Sequence, residues 1–177
     1  MGFMDIYYVL VDFLLRTYAS VVKLLFSYQN DKCITFDSGR TVNICQTIGE
    51  GAYSFVYVGT ASGKNYAVKK MYMHSPEFQR CAMVEVESFN RFQHSNILKL
   101  LEYSQRTENS TPVMYMLFPL MEQGSLRTIL TRRQNHLSAR PCLRELLTDF
   151  TAICEAINVL HSYSPPYVHQ DIKPEVT

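Results

Sequence analysis

The sequence predicts an α+β fold: a five-stranded antiparallel sheet with one helix, followed by further helices. Short runs rich in β-branched and aromatic residues alternate with turn residues between positions 41 and 71, which is typical of a strand meander. A helical stripe of apolar residues follows between positions 76 and 92, and two more strand-like runs come after it. Beyond position 124 the apolar residues recur with the helical period.

The composition narrows the class of protein. With 177 residues, of which 47% are hydrophobic, the chain is long enough to form one globular core. A formal net charge of +1 gives no reason to expect nucleic acid as a partner. The five cysteines are scattered and form no Cys-x-x-Cys pair, so we expect a reducing compartment and neither a disulfide framework nor a zinc site.

The first 30 residues are predicted to form a separate N-terminal arm. Residues 5–28 carry apolar side chains with a helical period and a polar opposite side, which predicts an amphipathic helix. The charges of Asp12, Arg16 and Lys23 oppose insertion across a bilayer, because each costs roughly 2.5 to 3.5 kcal/mol at its centre. Two alternatives stay open: the helix lies on a membrane surface as a peripheral contact, or it packs on protein.

A glycine-containing turn joins the first two predicted strands, residues 41–48 and 55–60. Gly49 and Gly51 allow a tight bend whose bare N–H groups can approach an anion such as phosphate. A dinucleotide-binding fingerprint would need a helix directly after the glycines. Because β-branched and aromatic residues follow instead, the glycines are predicted to lie at the tip of a hairpin.

The third predicted strand, residues 65–71, places Ala67 and Lys69 on one face because side chains alternate along a strand. A small residue beside a cation would let a flat ring lie on the strand while the ammonium reaches phosphates. The alternative is that Lys69 is a solvated strand lysine. We expect Lys70, on the other face, to be solvated.

The helix after this strand carries a carboxylate on its inward face. Ser75 and Pro76 are typical of the N-cap and first position of a helix. Glu85 lies on the same stripe as five other residues: Phe78, Cys81, Ala82, Phe89 and Phe92. A buried charge is costly without a partner, so we expect Glu85 to pair with Lys69. Alternatively the helix rolls and Glu85 faces water.

The remaining elements are two strands and two helices. Residues 97–106 and 113–118 are predicted strands with a polar loop between them. Ser125 is predicted to cap a short helix. Residues 141–163 form a longer predicted helix with one broad apolar face. If nothing covered this face, it would be an exposed apolar surface prone to association.

Four runs of residues together resemble the eukaryotic protein kinase family. They are Gly-Glu-Gly-Ala-Tyr-Ser-Phe-Val at 49–56, Tyr-Ala-Val-Lys at 66–69, His-Ser-Asn-Ile at 94–97 and His-Gln-Asp-Ile-Lys-Pro-Glu at 169–175. The resemblance covers roughly residues 40–175. It implies a serine/threonine kinase that transfers the γ-phosphate of ATP to protein substrates, because the lysine two residues past the aspartate is the serine/threonine form.

The resemblance also implies a division of the chain and of its site. The small lobe would span residues 38–118, the hinge 119–124 and the start of a mostly helical large lobe 125–177. Asp171 would accept the proton of the substrate hydroxyl, Lys173 would steady the transferred phosphoryl group, and the kinase pattern requires the pair of Lys69 with Glu85. The implied nucleotide-binding residues are Ile48, Gly49, Gly51, Tyr53, Ser54, Val56, Ala67, Lys69, Phe118, Pro119 and Met121.

Within that set, three residues have specific implied roles at the hinge. Phe118 would close the back of the pocket. Pro119 has no N–H and would offer only its carbonyl to adenine, whereas the Met121 N–H would be the complementary donor. His169, just before the catalytic aspartate, is expected to be a packing residue and not a base.

The chain also departs from the family pattern. Ser54 stands at the third glycine, Gln170 replaces the usual arginine, and Val176 stands where the magnesium-binding asparagine belongs. No Asp-Phe-Gly follows, so the cofactors ATP and Mg²⁺ are implied while the Mg²⁺ ligands are absent from this sequence. We therefore expect a truncated kinase that is a poor catalyst alone. The alternative is a non-catalytic fragment that binds nucleotide or a partner.

Within kinases, the glycine-loop run and the proline in the hinge are most similar to the Numb-associated kinase family, in particular its membrane-associated serine/threonine branch. That resemblance implies a cytoplasmic protein that works peripherally at Golgi or endocytic membranes. The amphipathic start of the chain would suit such a location.

Overall fold

A computed structural model describes residues 33–135 and 143–175 of the chain. The predicted helix of residues 5–28, the beginning of the predicted 141–163 helix and Val176 lie outside the described residues. In the described part of the chain, no helix is both long and apolar enough to cross a bilayer.

The sheet is antiparallel throughout and has six strands in the order β1-β2-β3-β4-β6-β5. The strands are β1 Cys33–Thr35, β2 Thr41–Glu50, β3 Ser54–Ala61, β4 Lys64–Tyr72, β5 Glu102–Glu108 and β6 Thr111–Pro119. The prediction of five strands was one short, because the three residues of β1 are too few to show an alternating pattern. The predicted strand from residue 97 begins only at Glu102.

Three helices accompany the sheet in the described residues: α1 Pro76–Arg91, α2 Leu126–Asn135 and α3 Leu143–His161. α1 begins at Pro76 as predicted, but the Ser75 hydroxyl does not cap it and instead donates to Glu77 Oε2 at 2.6 Å. Ser125 does cap α2, since its Oγ accepts the Thr128 N–H at 3.4 Å.

Each face of the sheet carries its own apolar cluster, as side-chain alternation requires. The cluster between the sheet and α1 contains Met73, Ala82, Val86, Leu100, Met114, Met116 and Phe118. The cluster on the opposite face contains Ile34, Phe36, Val42, Tyr57, Ala61, Val68, Tyr72, Val113, Tyr115 and Leu117.

The sheet is strongly curled, and the curl buries the second cluster. Ser38 and Arg40 follow β1 at one edge, and both reach Glu102 at the start of β5, the opposite edge strand. The Ser38 hydroxyl donates to Glu102 Oε2 at 2.6 Å, and Arg40 Nη1 lies 2.8 Å from Oε1. The two edges therefore meet.

The same curl explains why the expectation for Lys70 was wrong. Lys70 is only 6% exposed, and its Nζ lies 2.6 Å from Glu108 Oε2 on β5. The ammonium also lies 4.9 Å from the ring centroid of Tyr72 and 5.4 Å from that of Tyr115. A face that would be solvated on a flat sheet is enclosed here.

No residue of α3 is buried in the described part of the chain. Its predicted apolar face is open at Leu143, Leu147 and Phe150, which are 70%, 56% and 63% exposed. The expected exposed apolar surface is therefore present on this helix.

Candidate active site

The predicted pair of Lys69 and Glu85 is confirmed. Lys69 Nζ lies 2.6 Å from Glu85 Oε1 and 2.8 Å from Oε2, so both carboxylate oxygens accept from one ammonium. Both side chains remain about one-quarter exposed, at 25% and 26%. The contact forms because α1 packs on the sheet through buried Ala82 and Val86, which places the inward face of the helix over β4.

The strand register brings several predicted nucleotide-binding residues to this same face. Val56 lies directly opposite Lys69, and Ala67 lies directly opposite Phe118. Directly opposed residues of antiparallel strands share a face, and Ala67 is two residues from Lys69. Phe118 is 4% exposed and packs edge-on against Phe89 of α1, with ring centroids 4.9 Å apart. These residues form the wall beside the ammonium.

The turn between β2 and β3 is tight, as its glycines predict, and Gly51 lies close to Ser54 within it. The Gly51 N–H donates to the Ser54 carbonyl at 2.8 Å. A Cβ on Gly51 would lie 2.9 Å from Ser54 Oγ, closer than real Cβ atoms approach. Neither Gly49 nor Gly51 has a positive φ. Ile48 lies at a register shift between Thr47 and Gly49 and is 49% exposed.

Tyr53 at the tip of this turn contacts the start of α1. Its ring centroid lies 4.2 Å from that of Phe78, and its carbonyl accepts the Tyr72 N–H at 3.1 Å. The phenol is still 51% exposed. The turn is therefore attached to the helix that carries Glu85, a contact that the sequence pattern did not predict.

The predicted hinge residues follow directly from the sheet. Pro119 is the last residue of β6, and Met121 is 57% exposed. The Met121 carbonyl accepts the Gly124 N–H at 3.0 Å, and Gly124 has a φ of +77°, which closes a turn before α2. This turn leaves the Met121 side chain on the surface.

Asp171 and Lys173 lie together on an exposed segment. Lys173 Nζ is 2.9 Å from Asp171 Oδ1. The side chain of Lys173 is 49% exposed and that of Asp171 is 63% exposed. His169 is exposed, so the expectation that it is a packing residue was wrong, and its Nδ1 accepts the Asp171 N–H at 3.3 Å. Gln170 has a φ of +66°, a left-handed conformation that is uncommon for a residue with a side chain.

The end of this segment is attached to α2. Arg127 Nε donates to Glu175 Oε1 at 2.8 Å, and the Arg127 N–H donates to the Pro174 carbonyl at 2.8 Å. The hydrogen bond from Arg127 lowers the pKa of the Glu175 carboxyl below its ordinary value. Arg127 carried no signal in the sequence beyond its position in the first turn of a predicted helix.

The predicted site residues therefore form two groups on different elements. Lys69 and Glu85 belong to the sheet and α1, whereas Asp171 and Lys173 belong to the segment after α3. Asn96 connects these parts, because its Nδ2 donates to Glu155 Oε2 at 2.9 Å and to the Ala152 carbonyl at 3.2 Å. The His-Ser-Asn-Ile run that contains Asn96 was the only sequence signal for this connection.

In the described residues, no three His, Cys, Asp or Glu side chains are grouped so that they could hold a metal ion. A Mg²⁺ ion that is bound through nucleotide phosphates takes only one or two carboxylates from a protein, so it does not require such a group.

Comparison with known proteins identifies relatives over most of the chain. Residues 42–176 match the family described as "Protein kinase domain". A probable serine/threonine-protein kinase of Dictyostelium discoideum is 33% identical over 83% of this chain and 42% of its own length. Serine/threonine-protein kinase 16 of Rattus norvegicus is 31% identical over 73% of this chain and 42% of its own length.

The human protein of the same name is 30% identical over 80% of this chain and 46% of its own length. The chain thus spans less than half the length of each of these relatives.

Proposed function

Because the chain belongs to the protein kinase domain family and has serine/threonine kinases as relatives, we propose that it binds ATP and transfers the γ-phosphate to serine or threonine side chains of proteins. The observation that carries the proposal is the bidentate contact of Lys69 with Glu85 beside the partly exposed Val56 and Ala67.

In this proposal, Lys69 supplies the positive charge that receives the phosphates of the nucleotide. Glu85 fixes the ammonium in one place, so that its charge needs no reorganisation when the nucleotide binds. Val56 and Ala67 form an apolar floor for the adenine ring next to that charge, and Phe118 closes its inner end.

Asp171 is proposed to accept the proton of the attacking hydroxyl, and Lys173 to hold the transferred phosphoryl group. The exposure of both side chains fits a protein substrate that arrives from solvent. Their mutual contact at 2.9 Å keeps the carboxylate oriented before substrate binds. Positioning and charge are the main contributions that proteins make to phosphoryl transfer.

The family generally uses ATP together with Mg²⁺, and we propose the same pair here. Mg²⁺ commonly binds through substrate phosphates and water with few protein ligands. The dependence of phosphate transfer on Mg²⁺ is measured directly by comparing the rate with Mg²⁺ present and with a chelator present.

The proposal is tested by phosphate transfer from labelled ATP to a generic serine/threonine substrate, at high protein concentration so that slow transfer is detected. We expect label on serine or threonine and a loss of about 100-fold or more in Asp171→Asn, because a positioned base contributes this much. The matched control is Asp149→Asn, which changes an exposed aspartate on α3.

Transfer that Asp171→Asn leaves intact contradicts the proposal. ATP binding without any transfer supports instead the alternative of a non-catalytic nucleotide-binding module.

We also propose that the chain belongs to the Numb-associated branch and that it works in the cytoplasm at the surface of Golgi or endocytic membranes. Support comes from the run of residues 50–56, from Pro119 in the hinge and from the amphipathic pattern of residues 5–28. Co-sedimentation with anionic vesicles tests the membrane contact. Binding should be lost in Leu10→Glu/Leu14→Glu, and equal binding by this variant would contradict it.

A further inference from the structure

We propose that an aromatic junction, defined as Arg91, Phe92, Tyr163 and Tyr167, positions the segment carrying Asp171 relative to the helix carrying Glu85. Arg91 and Tyr167 are the positioning residues in this proposal. It rests on the proposed function in one respect, namely that Asp171 receives the substrate proton.

The junction consists of three rings and one guanidinium in mutual contact. Phe92 meets Tyr163 and Tyr167 edge-on at centroid distances of 5.5 and 5.0 Å, and the two tyrosines lie 5.6 Å apart at 78°. The Arg91 Cζ lies 5.5 Å from the Tyr163 centroid and 5.4 Å from that of Tyr167. Edge-on rings and a cation over a ring are favourable arrangements, so the junction has a defined geometry.

A hydrogen bond also joins two residues of the junction. Arg91 Nη1 donates to the hydroxyl oxygen of Tyr167, so the two residues are joined by a directional contact as well as by ring packing. The Tyr167 N–H in turn donates to the Leu160 carbonyl in the last turn of α3 at 3.0 Å. Tyr167 is thereby fixed both to α1 and to α3.

The junction lies between the two groups of site residues along the chain. Glu85 precedes Arg91, the last residue of α1, by six residues, which is less than two helical turns or about 9 Å. Tyr167 precedes Asp171 by four residues. A shift of α1 at its last turn is therefore transmitted to the segment of Asp171 over a short distance.

The segment between Tyr167 and Glu175 is anchored at both ends. Tyr167 holds its beginning through the junction, and Arg127 holds Pro174 and Glu175 at its end. The middle is open to solvent, with Val168 67% exposed and Ile172 47% exposed. Because packing contributes little in the middle, the anchors at the two ends determine where Asp171 lies.

The test compares Arg91→Met, Tyr167→Phe and the double variant. Arg91→Met removes the guanidinium but keeps a long side chain, and Tyr167→Phe removes only the hydroxyl. Arg80→Met is the control, since Arg80 lies on the same helix and pairs with Glu77 within it. The first readout is amide hydrogen exchange, which requires no turnover.

We expect exchange of the Tyr167 and Asp171 amides to accelerate about tenfold in each single variant, while amides in the middle of α1 and the urea midpoint stay unchanged. The double variant should resemble Arg91→Met, because both lose the hydrogen bond and the contacts of the guanidinium with the rings, whereas Tyr167→Phe keeps those ring contacts. Unchanged exchange in the segment, or acceleration of all amides in proportion to lost stability, overturns the proposal.

The second readout is steady-state phosphate transfer. We expect kcat to fall about tenfold to a hundredfold with the KM for ATP unchanged, because displaced catalytic groups slow the chemical step. A rise in KM with unchanged kcat overturns the positioning role. If the wild-type chain transfers no phosphate, the proposed function fails, whereas hydrogen exchange still decides whether the junction positions the segment.

Discussion

Arg40 and Glu102 close the curled sheet, with Nη1 of the arginine 2.8 Å from Oε1 of the glutamate. Arg40 immediately precedes β2, next to one edge of the sheet, and Glu102 begins β5 at the other edge. The glutamate also accepts the Ser38 hydroxyl at 2.6 Å, although Ser38 is 64 positions away in the sequence. The Glu102 carboxylate therefore joins the two edges of the sheet, because it accepts from Ser38 and pairs with Arg40.

Removing this carboxylate should loosen the curl. We expect Glu102→Ala to lower the free energy of unfolding by about 1 to 2 kcal/mol, because it deletes one hydrogen bond to a charged group and one partly exposed ion pair. The measurement is urea unfolding. Glu77→Ala is the control, since Glu77 also accepts a serine hydroxyl and pairs with an arginine, but both partners lie within three residues of it, so the substitution should cost less. Equal losses in both variants would contradict a special role for Glu102.

The pair of Lys70 and Glu108 inside the curl should be sensitive to removal of either partner. We expect Lys70→Met or Glu108→Gln alone to cost about 3 kcal/mol, because each leaves a largely buried charge without its counter-ion. The double change Lys70→Met/Glu108→Gln should recover most of this loss, because neither charge is then left without its counter-ion. Urea unfolding of the three variants checks it, and costs that simply add in the double variant would contradict the account.

The buried phenol of Tyr57 should make the fold sensitive to alkaline pH. Burial, followed by the nearby Tyr72, Glu108 and Glu50, raises the pKa of Tyr57 from 10.0 to about 12. Between these two pH values the Tyr57 phenol has lost its proton in the unfolded chain and retains it in the folded chain. The free energy of unfolding should therefore fall as pH rises from about 10 to 12, by about 1.4 kcal/mol for each unit of pKa difference.

Tyr57→Phe should remove this part of the pH dependence, because phenylalanine has no proton to lose. The matched control is Tyr103→Phe, which removes one exposed hydroxyl from β5. Urea unfolding at several pH values between 9 and 12 measures the slope. A slope that is the same with and without the Tyr57 hydroxyl would show that this phenol is not its source.

The pairing of Lys69 with Glu85 could be predicted because two independent periodicities made these residues candidates and the resemblance to protein kinases favoured the pair. Alternation along β4 put Lys69 beside Ala67, and the 3.6-residue period of α1 put Glu85 on an apolar stripe, where a carboxylate needs a cation. Such local patterns also gave five of the six strands and the start of α1 at Pro76. Each of these features depends on residues that are close in sequence.

The features that the sequence did not predict depend on long-range contacts. The curl of the sheet comes from the contacts of Ser38 and Arg40 with Glu102, and alternation in a single strand carries no information on curvature. For that reason Lys70 was expected in solvent and is enclosed. The contact of Tyr53 with Phe78 was likewise not predicted, because both aromatic residues are compatible with several partners.

The turn should tolerate a side chain at position 51 only if Ser54 is replaced by a smaller residue at the same time. A Cβ at Gly51 would lie 2.9 Å from Ser54 Oγ, so Gly51→Ala should displace the turn and raise the Kd of an ATP analogue about fivefold. Gly51→Ala/Ser54→Gly removes the clashing hydroxyl and should restore most of the affinity. Calorimetric titration measures both values. Equal Kd for the two variants would mean that the clash with Ser54 does not control the turn.

The most direct test of the account is the affinity of the chain for a non-hydrolysable ATP analogue, measured by calorimetry and by thermal unfolding. At 100 times the Kd, the analogue should add about 2.7 kcal/mol to the free energy of unfolding. Lys69→Met should abolish this stabilisation and Glu85→Gln should weaken it, whereas Lys64→Met, an exposed lysine at the start of the same strand, should leave it intact. Undiminished binding in Lys69→Met would contradict the central claim that Lys69, held by Glu85, receives the phosphates of ATP.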